Sequence, residues 1–463
     1  MQRRHFHPTK QFMSVVAATP FPTRAPSRSS SLSRAGYLFL AVFFILVFEG
    51  AIRKWVTSAS TLPLILLRDL LALGLVLYAV STGALKRQKG IVAALLVWSC
   101  IVLAWGLFQL VVGQSSPLVL IIGLRFWLLY TWFAVAAACA MNESDYRASM
   151  YAAIGMLLVM APLAVLQHNL PPGARINAQI DGDGDEGVFV VVVGVVRTTG
   201  TFSFTSAYAV FLTLVAPVVF GFLSARKRGI RQVAFALAAF GAFAVGALVS
   251  GSRTAVISGG LLFITYLVGR LLFSKMKKKP AAAAAVAAAI VLFGLFALFF
   301  QDAIEVTQTR FAQAAAAEDL GGRIFTVLFG EAGAWDAAPW TGFGIGFGSN
   351  LATYVRTGSA DVFSLAETEG ARILMEAGIV GFLYLALKLV FVAYGILKSV
   401  RISARTNSPF PLIVWVSTAI AVATWPSIGQ LSGNGLLGVM MAFALLLFRF
   451  PRLELFPPRA SRT

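Results

Sequence analysis

Charged side chains buried in apolar sequence are the residues here best able to do chemistry. Arg68 and Asp69 fall inside a hydrophobic run at 61–82, Arg125 inside one at 117–140, and Glu376 near the start of one at 372–397. Arg197 and Arg253 stand beside the ends of further runs. An ionisable group in hydrocarbon is costly, so it lines a polar pocket or pairs with another. Pairing would give Arg–Asp or Arg–Glu bridges that only hold helices together. Because these arginines outnumber the carboxylates, the chemical alternative is a net-positive cavity suited to an anion.

The elements that must position these residues are membrane spans. Apolar runs of about twenty residues, enough to cross roughly 30 Å of hydrocarbon, occur at 36–50, 61–82, 91–112, 117–140, 149–166, 204–223, 232–250, 254–273, 281–300, 372–397, 410–425 and 435–450. The expectation is an all-α polytopic membrane protein with about 12 transmembrane helices. Lys86, Arg87 and Lys89 follow the second run, Arg226, Lys227, Arg228 and Arg231 the sixth, Lys275, Lys277, Lys278 and Lys279 the eighth, and Lys398, Arg401 and Arg405 the tenth. All are even-numbered exits, which the positive-inside rule puts on the cytoplasmic side. A basic, disordered tail at 1–34 and a basic tail at 451–463 belong there too, so both termini are expected in the cytoplasm. The helical domain is 35–450, with extracytoplasmic loops at 167–203 and, between helices 9 and 10, a large one at 301–371. On this topology Arg68, Asp69, Arg125 and Glu376 lie roughly 6–14 Å below the outer surface.

Composition agrees. Hydrophobic residues at 58% and a mean hydropathy of +0.81 exceed what a soluble domain carries. The formal charge of +19 is met by anchoring against anionic lipid, so the bilayer is the partner and no nucleic acid is needed. Cys100 and Cys139 read as small buried residues within spans. In the first loop, Asp181, Asp183 and Asp185 start like a calcium loop, but Glu186 replaces the turn glycine and Val192 the closing glutamate, leaving a solvated turn. The β-branched run Val188 to Val196 predicts a short hairpin or strand. In the second loop, the glycines at 342, 344, 346 and 348 fit no nucleotide motif and read as a tight backbone segment able to approach its surroundings closely.

Four segments in order, RTTGTFSFTSAYAVFL (197–212), SGSRTAV (250–256), GGRIFTVLFGEAGAWDAAPWTGFGIGFGSN (321–350) and ETEGARILMEAGIVGFLYL (367–385), resemble the O-antigen ligase and O-antigen polymerase superfamily of bacterial inner-membrane proteins. The resemblance implies a GT-C-like, metal-independent glycosyltransferase with no cofactor. Its partners would be an undecaprenyl-diphosphate-linked oligosaccharide, an acceptor glycan whose hydroxyl attacks the anomeric carbon, and, for a polymerase, a chain-length regulator. Guanidinium groups suit the departing diphosphate, since they bind it bidentately without losing charge. By motif, Arg197 matches the arginine of R-x-x-G-x-F, Arg253 that of S-R, and Arg323 that of G-R. Where ligases of this family carry a His-Asn-like pair, this chain has Glu367-Thr368. A carboxylate can act as general base, so Glu367 joins Arg253 and Arg197 as candidate catalytic residues, and the departure favours a polymerase over a ligase that transfers glycan to lipid A core or protein. Glu369 competes as base, although it stands three before Arg372 and can pair with it on a helix. Arg323, Arg125, Arg68, Glu369 and Arg372 are the candidate substrate-binding residues.

The rival class is a 12-span transporter or lipid-linked sugar flippase. Such a protein is expected to show two related halves with a midplane site. Here the long loops follow the fifth and ninth runs, and GALKRQKG lacks the Asp-Arg-Gly pattern of major-facilitator transporters.

Overall fold

The computed structural model describes residues 31–178, 190–191, 195–226, 229–273, 330, 332–357, 368–425, 427 and 430–457, with isolated positions between 280 and 326. In chain order the helices are α1 (Arg34–Trp55), α2 (Thr61–Ser81), α3 (Lys89–Val111), α4 (Pro117–Leu124), α5 (Tyr130–Ala140), α6 (Glu143–Asn169), α7 (Thr205–Ser224), α8 (Ile230–Val249), α9 (Arg253–Phe273), α10 (Ala332–Ala337), α11 (Asn350–Thr357), α12 (Glu369–Ala377), α13 (Ile379–Thr406), α14 (Phe410–Thr424) and α15 (Leu431–Arg449). A π-helical turn, Arg125–Leu129, joins α4 to α5 in one span. Among the described residues ten helices are long and apolar enough to cross a membrane, and α14 is a shorter apolar one. The chain is a polytopic helical membrane protein.

Two expectations change in detail. The run expected at 372–397 is two helices, because Gly378 at φ +51° ends α12 and starts α13. A Cβ there would strike the Trp340 carbonyl, so both the turn and the contact require glycine. Cys100 is exposed, since the α3 face that carries it looks away from the bundle, while Cys139 is buried. The run at 281–300 lies almost wholly outside the described residues, as do the acidic turn at 181–187, Arg323 and Glu367. The hairpin is present as β1 (Val190–Val191) paired antiparallel with β2 (Val195–Val196).

Caps and crossings fix the bundle. Asn142 and Asp145 form a capping box at the start of α6, and the Asp145 carboxylate also accepts from the amide (2.8 Å) and hydroxyl (2.5 Å) of Ser33, which caps α1. The starts of α1 and α6 therefore share one end, to which Arg449 ties the end of α15 through the carbonyls of Ala138, Cys139 and Met141. At the opposite end, Lys54 in the last turn of α1 donates to Thr199 (2.8 Å) and the Gly200 carbonyl (2.9 Å) ahead of α7. Helix α7 runs through the middle, its residues from Ala207 to Phe222 buried against α6, α8, α9 and α14. Helices α2, α3 and α13 instead expose Leu66, Leu70, Leu96, Val97, Leu389 and Val390. An apolar face this extensive, on helices whose backbone bonds are satisfied internally, fits hydrocarbon and not water.

Candidate functional site

The end of the bundle that carries Lys54 also gathers most of the sequence candidates. Arg197 opens the segment 197–202, which sits in the mouth of the bundle. Gln167 clamps this segment, accepting the amides of Thr199 (3.1 Å) and Gly200 (2.8 Å) while donating to the Gly200 carbonyl (3.2 Å). Thr201 donates to the Val47 carbonyl of α1 at 2.5 Å. Arg253 is the first residue of α9, placed by a tight turn in which Gly251 adopts φ +61° and the Ser250 hydroxyl accepts the Ser252 amide. Both arginine side chains are exposed. Partial shielding by the protein, and then the charge of Arg253, hold the Arg197 guanidinium below its ordinary pKa. The two like charges are therefore neighbours, and among the described residues neither forms an ion pair.

The arginines inside the spans are arranged differently. Arg68 is fully buried, and its Nη1 donates to both carboxylate oxygens of Glu49 on α1 at 2.7 Å. Arg125 donates from Nε (2.7 Å) and Nη2 (3.0 Å) to Asp69, which also accepts the Tyr130 hydroxyl (2.9 Å) and lies 3.5 Å from Arg68 Nε. The π turn places Arg125 and Trp127 on the inner side of their span. The chain Glu49–Arg68–Asp69–Arg125 thus links α1, α2 and the α4–α5 span. Arg68 Nη2 and Arg125 Nη1 have no hydrogen-bond acceptor among the described residues.

Helix α12 forms the third part. Its Glu376 is completely buried and accepts from the Trp127 indole (2.9 Å) and the amides of Gly346 (3.0 Å) and Gly348 (2.9 Å). Gln109 on α3 donates to the carbonyls of Thr341 and Glu376 and accepts the Ile345 amide. The glycine-rich turn is thereby strapped into the bundle against α4, where a Cβ on Gly346 would come within 2.5 Å of the Gly123 Cα. Glu369, at the first turn of α12, accepts the Ser427 hydroxyl and the Lys388 ammonium (3.3 Å). Arg372 between them is buried. Helix α9 packs on α14, whose end leads to Ser427, so Arg253 and Glu369 belong to the same end of adjacent helices.

Sequence reasoning missed Glu49, Tyr130, Trp127, Gln109, Lys388 and Ser427. Glu49 and Lys388 were detectable as charges within apolar runs; the uncharged partners carried no such mark. No protein-family model matches this chain, and no curated protein matches it.

Proposed function

We propose that this chain is a metal-independent glycosyltransferase of the outer face of a bacterial cytoplasmic membrane. It acts as a polymerase of surface polysaccharide (O-antigen, capsule or exopolysaccharide) repeat units, transferring glycan from undecaprenyl diphosphate to an acceptor sugar hydroxyl. One observation carries the reading: Arg197 and Arg253 are exposed neighbours with no ion pair among the described residues, in a chain that answers its intramembrane arginines with carboxylates. Two uncompensated guanidinium groups at a membrane boundary suit a diphosphate that gains negative charge as it leaves. The short basic connections after the second, sixth, eighth and tenth apolar runs then face the cytoplasm, as the positive-inside rule requires.

Glu367 supplies the base in this scheme. Glu369 is a poorer one, because the Lys388 ammonium and Ser427 hydroxyl already occupy its carboxylate. In cells, Glu367→Gln should abolish polymer while leaving protein level and lipid-linked donor intact. Glu369→Gln should instead lower protein level, since Lys388, with only 11% of its side chain exposed, loses its counter-charge. Gel separation of surface polysaccharide reads both and separates the reaction types. Loss of long chains with a single repeat retained fits a polymerase; loss of all attached polymer fits a ligase. Wild-type polymer from the Glu367 variant would remove that residue from the mechanism.

A further inference from the structure

We propose that a cleft at the opposite end of the bundle, away from Arg197 and Arg253, binds a phosphate-bearing anion supplied by a lipid headgroup. The cleft encloses about 370 Å³ and is lined by Arg87, Lys89, Lys398 and Arg449 around Phe448. These cations come from three separate places: the short turn Ala84–Gln88 with the start of α3, the last third of α13, and the last residue of α15. Among the described residues no carboxylate lines it and none of the four forms an ion pair.

Backbone carbonyls hold the cations in place. Arg449 Nη1 donates to the carbonyls of Ala138 (2.9 Å), Cys139 (2.8 Å) and Met141 (2.8 Å), and Arg87 Nη1 donates to the same Cys139 oxygen (3.0 Å). Two guanidinium groups sharing one acceptor stand side by side, and an added anion would relieve their repulsion. Lys398 is held 3.3 Å from the Tyr394 hydroxyl and 4.1 Å from the centre of the Phe448 ring. Asp145 also acts electrostatically on Arg449, but its carboxylate is occupied by Ser33 and the Asn142 amide. A phosphate offers several acceptor oxygens to arginine forks at once, which no single carboxylate matches.

Position selects the lipid as the source. Helices α3 and α13 are neighbours, with Trp98 stacked on Tyr384 at 5.3 Å, and next to the cleft they expose Ile91 and Leu397. A headgroup seated among the cations would leave its acyl chains along this apolar surface. A soluble phosphate gains nothing from it. The site does not depend on the glycan-transfer reading.

The test is native mass spectrometry of the full purified chain, delipidated in detergent and titrated with cardiolipin, phosphatidylethanolamine and inorganic pyrophosphate. Cardiolipin should bind in preference to the other two. Arg87→Gln/Lys89→Gln/Lys398→Gln should weaken it by about a hundredfold, the scale of three lost surface cations. Arg401→Gln/Arg405→Gln, which removes exposed charges outside the cleft, should leave it unchanged. Wild-type affinity in the triple variant, or an equal loss in the double one, overturns the site. Pyrophosphate binding as tight as cardiolipin overturns the lipid assignment.

Discussion

At the residue scale, arginine has two uses in this molecule, and the neighbouring carboxylate separates them. Arg68 and Arg125 are neutralised by Glu49 and Asp69 and brace three spans; Arg197 and Arg253 are exposed and form no ion pair among the described residues. A buried pair adds little over apolar packing, yet breaking it leaves a charge in hydrocarbon. Glu49→Leu should therefore cost about 3–5 kcal/mol of stability, while Glu49→Leu/Arg68→Met should recover most of it. Thermal unfolding in detergent measures the difference, and equal losses in both variants would count against the bracing role. The sequence made Arg68 conspicuous as a charge in an apolar run. It did not reveal Glu49 as the partner, because pairing depends on which helices are neighbours, and the apolar pattern is the same whichever way they pack.

At the scale of elements, hydropathy located most spans to within a few residues, since about twenty apolar residues in a row have few alternatives to crossing a membrane. It failed where backbone angle decides. The break at Gly378 leaves the apolar pattern nearly unbroken, yet it separates the buried α12 from the span that follows. The π turn at Arg125–Leu129 is equally silent in composition, although it turns Arg125 and Trp127 inward. The glycine-rich turn was legible as a close approach, and its partners Gly123 and Glu376 were not. Gly346 adopts φ +91°, so Gly346→Ala is strained and also pushes into Gly123. It should abolish polymer formation with a loss of about 1–3 kcal/mol in stability, whereas Gly74→Ala, with open space at its Cβ, should behave as wild type. Unchanged activity in Gly346→Ala would show that the strap is not needed.

At the scale of the whole molecule, charge is divided between two ends. One end holds the basic cleft and the caps of α1 and α6; the other holds Arg197, Arg253, the clamped turn at 197–202 and the buried α12. We place the proposed reaction chemistry at the second end, where two arginines, without a metal, would carry the leaving diphosphate. Turnover of the purified chain on undecaprenyl-diphosphate-linked repeat units tests this most directly. Arg253→Ala and Arg197→Ala should each lower turnover by about two orders of magnitude or more, the scale of losing one electrostatic donor to a developing charge. Arg253→Lys should recover only part, because lysine keeps the charge and loses the fork, and chelators should have no effect on the wild type. Wild-type turnover in both alanine variants, or strict dependence on an added divalent cation, would rule out metal-free diphosphate stabilisation by these arginines.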